Sequence, residues 1–258
     1  MFRLLGHWLA NYLTRPIGTT AMVNTCDLAT LQETLQPGDI LLIDGNTRIS
    51  SAIKFLTNST WSHAAFYVGP HALLPAHNGQ MAELIESDLI EGVRAIPLAN
   101  YAMLQTRICR PVGLTAEDKK KVIDYVIEHL GDSYDLRNVI DLVRYLLPNP
   151  PVFSRWRRRM LALGSGDPTR AICSTLIAQA FQIVRYPILP IVTKELLTNP
   201  KGKNYYREYM HIRHHSLFTP RDFDISPYFE IIKPTLNSSF KYREIVWADQ
   251  SASQPYLT

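Results

Sequence analysis

The sequence predicts a mixed fold, with strands gathered in the first half of the chain and amphipathic helices after them. Two observations predict it. Short runs rich in β-branched and aromatic residues, bounded by Gly and Pro, recur from Ile40 to Pro111, whereas from Thr115 onward the apolar residues recur at helical spacing. The 258 residues, 46% hydrophobic and 19% charged, are enough for one large buried core, and they contain no low-complexity block and no internal repeat.

Composition narrows the function classes. A net charge of +4 and a pI near 8.9 describe a mildly basic chain, suited to an anionic surface without implying nucleic acid. No apolar run is long enough to span a bilayer. Cys26, Cys109 and Cys173 are widely separated, odd in number and without a C-x-x-C pair, so the chain needs no disulfide framework. The expected location is the cytoplasm, with peripheral attachment to a membrane as the variant.

In chain order, residues 1–14 place Phe2, Leu5, Trp8, Leu9, Tyr12 and Leu13 on one broad helical face, while His7 and Asn11 interrupt any signal-peptide core. Such a helix either lies on a membrane or docks on its own domain. A short helix over 31–35 and a turn at Gln36-Pro37-Gly38-Asp39 lead into a strand over 40–43. A helix over 49–56 carries Ile53, Phe55 and Leu56 inward. Strands follow over 61–69, 81–87, 93–98 and 106–111, with a turn at Glu91-Gly92.

The helical half opens at Thr115, with Glu117 and Asp118 in the first turn and Val122, Ile123, Val126, Ile127 and Leu130 as the buried stripe. A second helix over 136–147 is stopped by Pro148-Asn149-Pro150-Pro151. A basic cluster, Arg155, Arg157, Arg158 and Arg159, comes next; it is either a solvated face or a contact for phosphate or anionic lipid. A third helix begins near Cys173 and buries Leu176, Ile177, Ala180, Phe181 and Val184. Beyond Pro190 the chain is Tyr-rich and irregular, with strands expected over 229–232 and 244–247.

Two residues carry the chemistry. Cys173 falls in the first turn of its helix, where free N–H groups and the helix dipole favour thiolate over thiol; the alternative is a small buried apolar residue. His63 opens a strand, where its ring can face a helix N-terminus and take the thiol proton; the alternative is a satisfied core histidine. A third group must orient the imidazole. Glu83 and Glu86, three apart on the next strand, are expected on opposite faces, and Glu86 is the choice. His211, His214 and His215 lack a companion ligand for a metal, and no phosphate loop, Rossmann glycine pattern or Ser-nucleophile elbow is present, so no cofactor is expected.

Five motifs in order resemble the permuted papain-like amidases, YiiX-type relatives of the NlpC cell-wall peptidases. They are Leu35-Gln36-Pro37-Gly38-Asp39-Ile40-Leu41-Leu42, Trp61-Ser62-His63-Ala64-Ala65-Phe66-Tyr67-Val68-Gly69, Leu84-Ile85-Glu86 with Gly92-Val93-Arg94, Tyr134-Asp135-Leu136, and Ile172-Cys173-Ser174-Thr175-Leu176. His63 precedes Cys173, the reverse of ordinary NlpC enzymes and the order a circular permutation gives. The resemblance implies an α+β, circularly permuted papain-like (NlpC-type) fold, an antiparallel sheet packed against helices including the one that bears the nucleophile.

It also implies roles: Cys173 as nucleophile, His63 as general base, Glu86 as orienting group, and Tyr134 as an oxyanion donor or a packing residue. Asp39 reads as a turn-former. Three segments are expected: an N-terminal helix and connector (1–30), the catalytic core (31–190), and a C-terminal extension packed on it (191–258). The leading function is hydrolysis of an amide bond in a peptide, a cell-wall fragment or an N-acyl amine. One alternative is a lipid-directed acyltransferase or phospholipase, held at an anionic membrane by the N-terminal helix and the arginine cluster. The other is a binding module without catalysis.

Overall fold

The structure is a computed structural model that describes residues 15–16, 26–71, 74, 80–88, 91–132, 172–198 and 204–234. The expected helices over 1–14 and 136–147, the Arg155 to Arg159 cluster, Tyr134 and the strand over 244–247 lie outside the described residues. The helices are α1 (Leu28–Thr34), α2 (Arg48–Thr57), α3 (Ala116–Glu128), α4 (Ile172–Ile183) and α5 (Pro220–Asp224). The strands are β1 (Ile40–Asp44), β2 (His63–Tyr67), β3 (Leu84–Asp88), β4 (Gly92–Ile96), β5 (Gln105–Pro111), β6 (Ile191–Thr198), β7 (Asn204–His211) and β8 (Phe229–Ile232).

Six strands form one antiparallel sheet in the order β4-β3-β2-β1-β5-β8. Its continuous apolar runs are explained by burial on both faces. In β1, Ile40 and Leu42 join a core with α3 and α4 that includes Val122, Val126, Leu176, Ile177 and Phe181, while Leu41 and Ile43 join a second core with Leu31 and Leu35. Period-two alternation does the sorting, and each fully buried Leu, Ile or Phe contributes about 1.5–3 kcal/mol.

Local signals set the boundaries. Thr47 and Thr115 cap α2 and α3, accepting hydrogen bonds from the Ser50 and Asp118 N–H groups at 3.1 Å each. Gly92 enters β4 from the turn at φ +75°, a conformation that costs glycine little and other residues more. The α2 reading needs one correction: Phe55 does not point inward but is 84% exposed, and the helix buries Ile49 and Ala52. Ile49, Ala52, Ile53 and Leu56 follow the i, i+3, i+4, i+7 rule, and Phe55 falls off that stripe.

The stretch read as irregular after Pro190 contains a two-stranded hairpin, β6 paired antiparallel with β7 from Ile191↔His211 to Thr198↔Asn204. Residues 191–196 and 206–211 are exposed on both sides, so the period-two burial that marks a strand in sequence is missing. Further along, β8 returns to the main sheet and pairs with β5, Cys109 opposite Ile231. No helix among the described residues is long and apolar enough to cross a membrane.

Candidate active site

The site is assembled by strand parity. His63 is the first residue of β2, in step with Ala65 and Tyr67. The β2–β3 register pairs Phe66 with Ile85; carried one step further it sets Glu86 against Ala65, which leaves His63 one diagonal step away on the same face. On β4, Arg94 stands directly opposite Glu86. A 3₁₀ turn, Leu98–Tyr101, then brings Tyr101 over the same group. Helix α4 packs on the face that carries Ala64 and Phe66, and its first turn reaches the end of β2, where the Ala64 N–H donates to the Cys173 sulfur.

Glu86 is 3% exposed, and both its oxygens are saturated. Oε1 accepts from Arg94 Nε at 2.9 Å and forms an ion pair with Nη2 at 2.8 Å. Oε2 accepts from His63 Nε2 at 2.7 Å and from the Tyr101 hydroxyl. Arg94 extends outward to Asp88 and Glu91. With Nε2 committed to the carboxylate, His63 has Nδ1 for the Cys173 thiol, with which it also hydrogen-bonds. Cys173 is 5% exposed, with Ser174 Oγ 3.9 Å from its sulfur.

The electrostatics follow from these contacts. Burial works against a charged ring, but the neighbouring Cys173 and Glu86 outweigh it and hold His63 protonated up to about 10. Burial likewise resists ionisation of Cys173, yet the His63 charge beside it and the donors around the sulfur bring the thiol below its ordinary range. For Glu86 burial is again overcome, chiefly by His63, and its value falls to about 2. A buried charge without such partners would neutralise. The favoured state is a thiolate–imidazolium pair resting on a carboxylate.

Of the residues singled out in sequence, the structure brings together Cys173, His63 and Glu86; Tyr134 lies outside the described residues. Glu83, which precedes β3, is separated from Glu86 and accepts from Gln32 of α1 at 3.3 Å. Asp39 closes its turn by accepting the Gln36 N–H at 2.8 Å and binds Arg110. His211 pairs with Thr193 across the hairpin at 2.8 Å. Two neighbours of Glu86, Arg94 and Tyr101, had no role assigned from sequence. The turn at Glu91-Gly92 would have placed Arg94 opposite Glu86; nothing in the sequence marks Tyr101.

A cysteine at a helix start, a histidine on the adjoining sheet and a carboxylate behind it are the groups that a papain-like cysteine hydrolase uses. Within that class, residues 34–145 match the profile of the permuted papain-like amidase enzymes, the YaeF/YiiX or C92 family. That family's members are cysteine peptidases that hydrolyse amides, and the match takes in 112 of this chain's 258 residues. The matched segment holds His63, Glu86, Arg94 and Tyr101 and ends before Cys173. A solved structure similar to the chain is that of metalloprotein yiiX from Escherichia coli O157:H7, 18% identical, with a TM-score of 0.42 over 77% of this chain and 96% of that one. Among curated proteins none matches the chain.

Proposed function

We propose that Cys173, His63 and Glu86 are the catalytic triad of an enzyme that hydrolyses an amide through a thioester intermediate, on a peptide, a cell-wall fragment or an N-acyl amine. The Cys173 thiolate adds to the amide carbonyl carbon, and the oxygen takes the negative charge at the α4 N-terminus, where a first-turn N–H such as that of Cys173 has no partner within its own helix. His63 gives its proton to the leaving nitrogen as the C–N bond breaks, and the amine departs. Neutral His63 then takes a proton from water, the hydroxide adds to the thioester, and the acid leaves as Cys173 regains its thiolate and His63 its proton. Glu86 keeps the ring oriented and offsets its charge throughout. Tyr134 is proposed as the second oxyanion donor.

One observation carries this reading: a single imidazole bridges a buried thiol and a buried carboxylate. It is tested by the rate of Cys173 alkylation with iodoacetamide against pH, in the unmodified protein and in His63→Ala. The expected result is rapid alkylation well below the ordinary thiol pKa of about 8.5, lost in the variant. Slow alkylation that is indifferent to His63 would remove the nucleophile and with it the triad.

A further inference from the structure

Glu86 divides its two oxygens unequally. Oε1 faces a guanidinium that cannot give up a proton, whereas Oε2 is shared by the His63 ring and the Tyr101 hydroxyl. An oxygen that accepts from two donors presents less charge to each than it would to one alone. We infer that Tyr101 is a positioning residue that tunes the proton affinity of His63 by competing for Glu86 Oε2, an inference that rests on the triad proposed above.

Geometry supports the competition. The Tyr101 ring stands beside the His63 ring, centroids 6.1 Å apart and tilted by 50°, so the two donors approach one oxygen from adjacent directions. Tyr101 also remains a donor at every accessible pH, because burial and the adjacent Glu86 charge push its phenol far above the ordinary value. Among the described residues, the groups that face the pair are Cys173 from α4 on the ring and Arg94 from β4 on the carboxylate, with Asp88 and Glu91 on the far side of Arg94. Removal of the hydroxyl therefore leaves Oε2 to His63 alone. The imidazolium gains, and the ring keeps its proton to higher pH.

The experiment is alkylation of Cys173 by iodoacetate, an anion that the imidazolium attracts, so that its rate falls when His63 loses its proton. Neutral iodoacetamide serves as the reference. In Tyr101→Phe, which keeps the ring and removes only the hydroxyl, the alkaline fall is expected to move up by about half a pH unit or more, about threefold in the proton-binding constant. A second variant is 3-fluorotyrosine placed at position 101 alone, a stronger donor of the same shape; it is expected to move the fall down. Thermal unfolding accompanies both variants, since a merely structural role for Tyr101 alters the midpoint and leaves the profile in place.

The outcomes separate the two claims. Opposite shifts in the two variants establish the competition, and a shift down in 3-fluorotyrosine suffices if the phenylalanine variant does not fold. A profile unmoved by either, or moved the wrong way, overturns the role of Tyr101 while the triad stands. An unmodified protein with no alkaline fall, or one whose fall survives His63→Ala, overturns the triad itself and the inference with it.

Discussion

Glu86 and Asp39 are both buried carboxylates, 3% and 1% exposed, and both are gripped by an arginine across a strand pair. Glu86 lies opposite Arg94, and Asp39, just before Ile40, falls opposite Arg110 by the β1–β5 register. Their partners separate them. Asp39 takes Arg110 Nε on Oδ1 at 2.9 Å and Arg110 Nη2 on Oδ2 at 2.7 Å, and adds the Gln36 N–H of its own turn. Every one of those donors keeps its proton at any working pH, so the cluster fixes the entry into β1 and does nothing else. At Glu86 one donor is an imidazole, a group that can titrate and whose proton affinity also responds to the neighbouring Cys173 thiol. A buried carboxylate held by arginine is thus a structural device, and what turns one into a candidate catalytic group is a neighbour that can titrate.

The sharpest way to break the comparison is to neutralise each carboxylate in turn. Asp39→Asn strands Arg110 and weakens the turn, and removal of one partner from a buried pair costs about 3–5 kcal/mol. It is expected to lower the unfolding midpoint strongly and to leave the pH profile of Cys173 alkylation where it was. Glu86→Gln is expected to move the alkaline fall of iodoacetate alkylation down by about one unit or more, because the imidazolium loses its counter-charge. This shift is opposite in sign to the one expected for Tyr101→Phe. Denaturant titration and alkylation rates on the same two proteins check both halves. A shift in the Asp39→Asn profile, or an unmoved one in Glu86→Gln, would erase the distinction between the two sites.

The same pair of sites shows what could be read from the sequence. The strand runs around Ile40, Phe66 and Val93, and the helices that begin near Thr115 and Cys173, were legible because burial stamps a period on them. Cys173, His63 and Glu86 were legible by type and order. Arg94 was one step from legible, since it needs only the hairpin register. Tyr101 was not legible: its turn has no period, and its contact with Glu86 Oε2 exists only once the sheet has formed. The β6–β7 hairpin was lost for the opposite reason, having both faces in solvent and nothing buried to alternate with.

A smaller effect, spread over several pH units, separates the two sites by titration. Glu86 has its folded value lowered to about 2, so its contribution to stability is complete above the ordinary carboxylate value of about 4.3 and is lost as pH falls through about 2. His63 has its folded value raised to about 10; its contribution is complete below the ordinary imidazole value of about 6.5 and is lost as pH rises through about 10. Cys173, lowered in the fold, contributes stability that is present above the ordinary thiol value of about 8.5 and lost as pH falls. Unfolding midpoints are therefore expected to rise from acid pH, to level off between roughly pH 6.5 and 8.5, and to decline from there as pH rises through about 10. In Glu86→Gln both flanks flatten, since each flank is the loss of one member of the pair. If the alkaline flank survives unchanged in that variant, the raised His63 value has another source.

The smallest expected effect tests whether burial or distance sets the cost of breaking an ion pair. Lys194 and Glu208 face each other across the hairpin at 2.8 Å, much the same separation as Arg94 and Glu86, but their side chains are 61% and 50% exposed. Water solvates each charge nearly as well when the partner is gone, and salt screens what attraction remains. Glu208→Gln is therefore expected to change stability by no more than about 0.5 kcal/mol, and less at high ionic strength. At the two buried sites the carboxylates are 2% exposed and the arginines only 32% and 22%, so water replaces a lost partner less well and an equal distance translates into a larger cost. A Glu208→Gln penalty as large as that of Asp39→Asn would mean that the hairpin is not held in solvent as its exposure indicates.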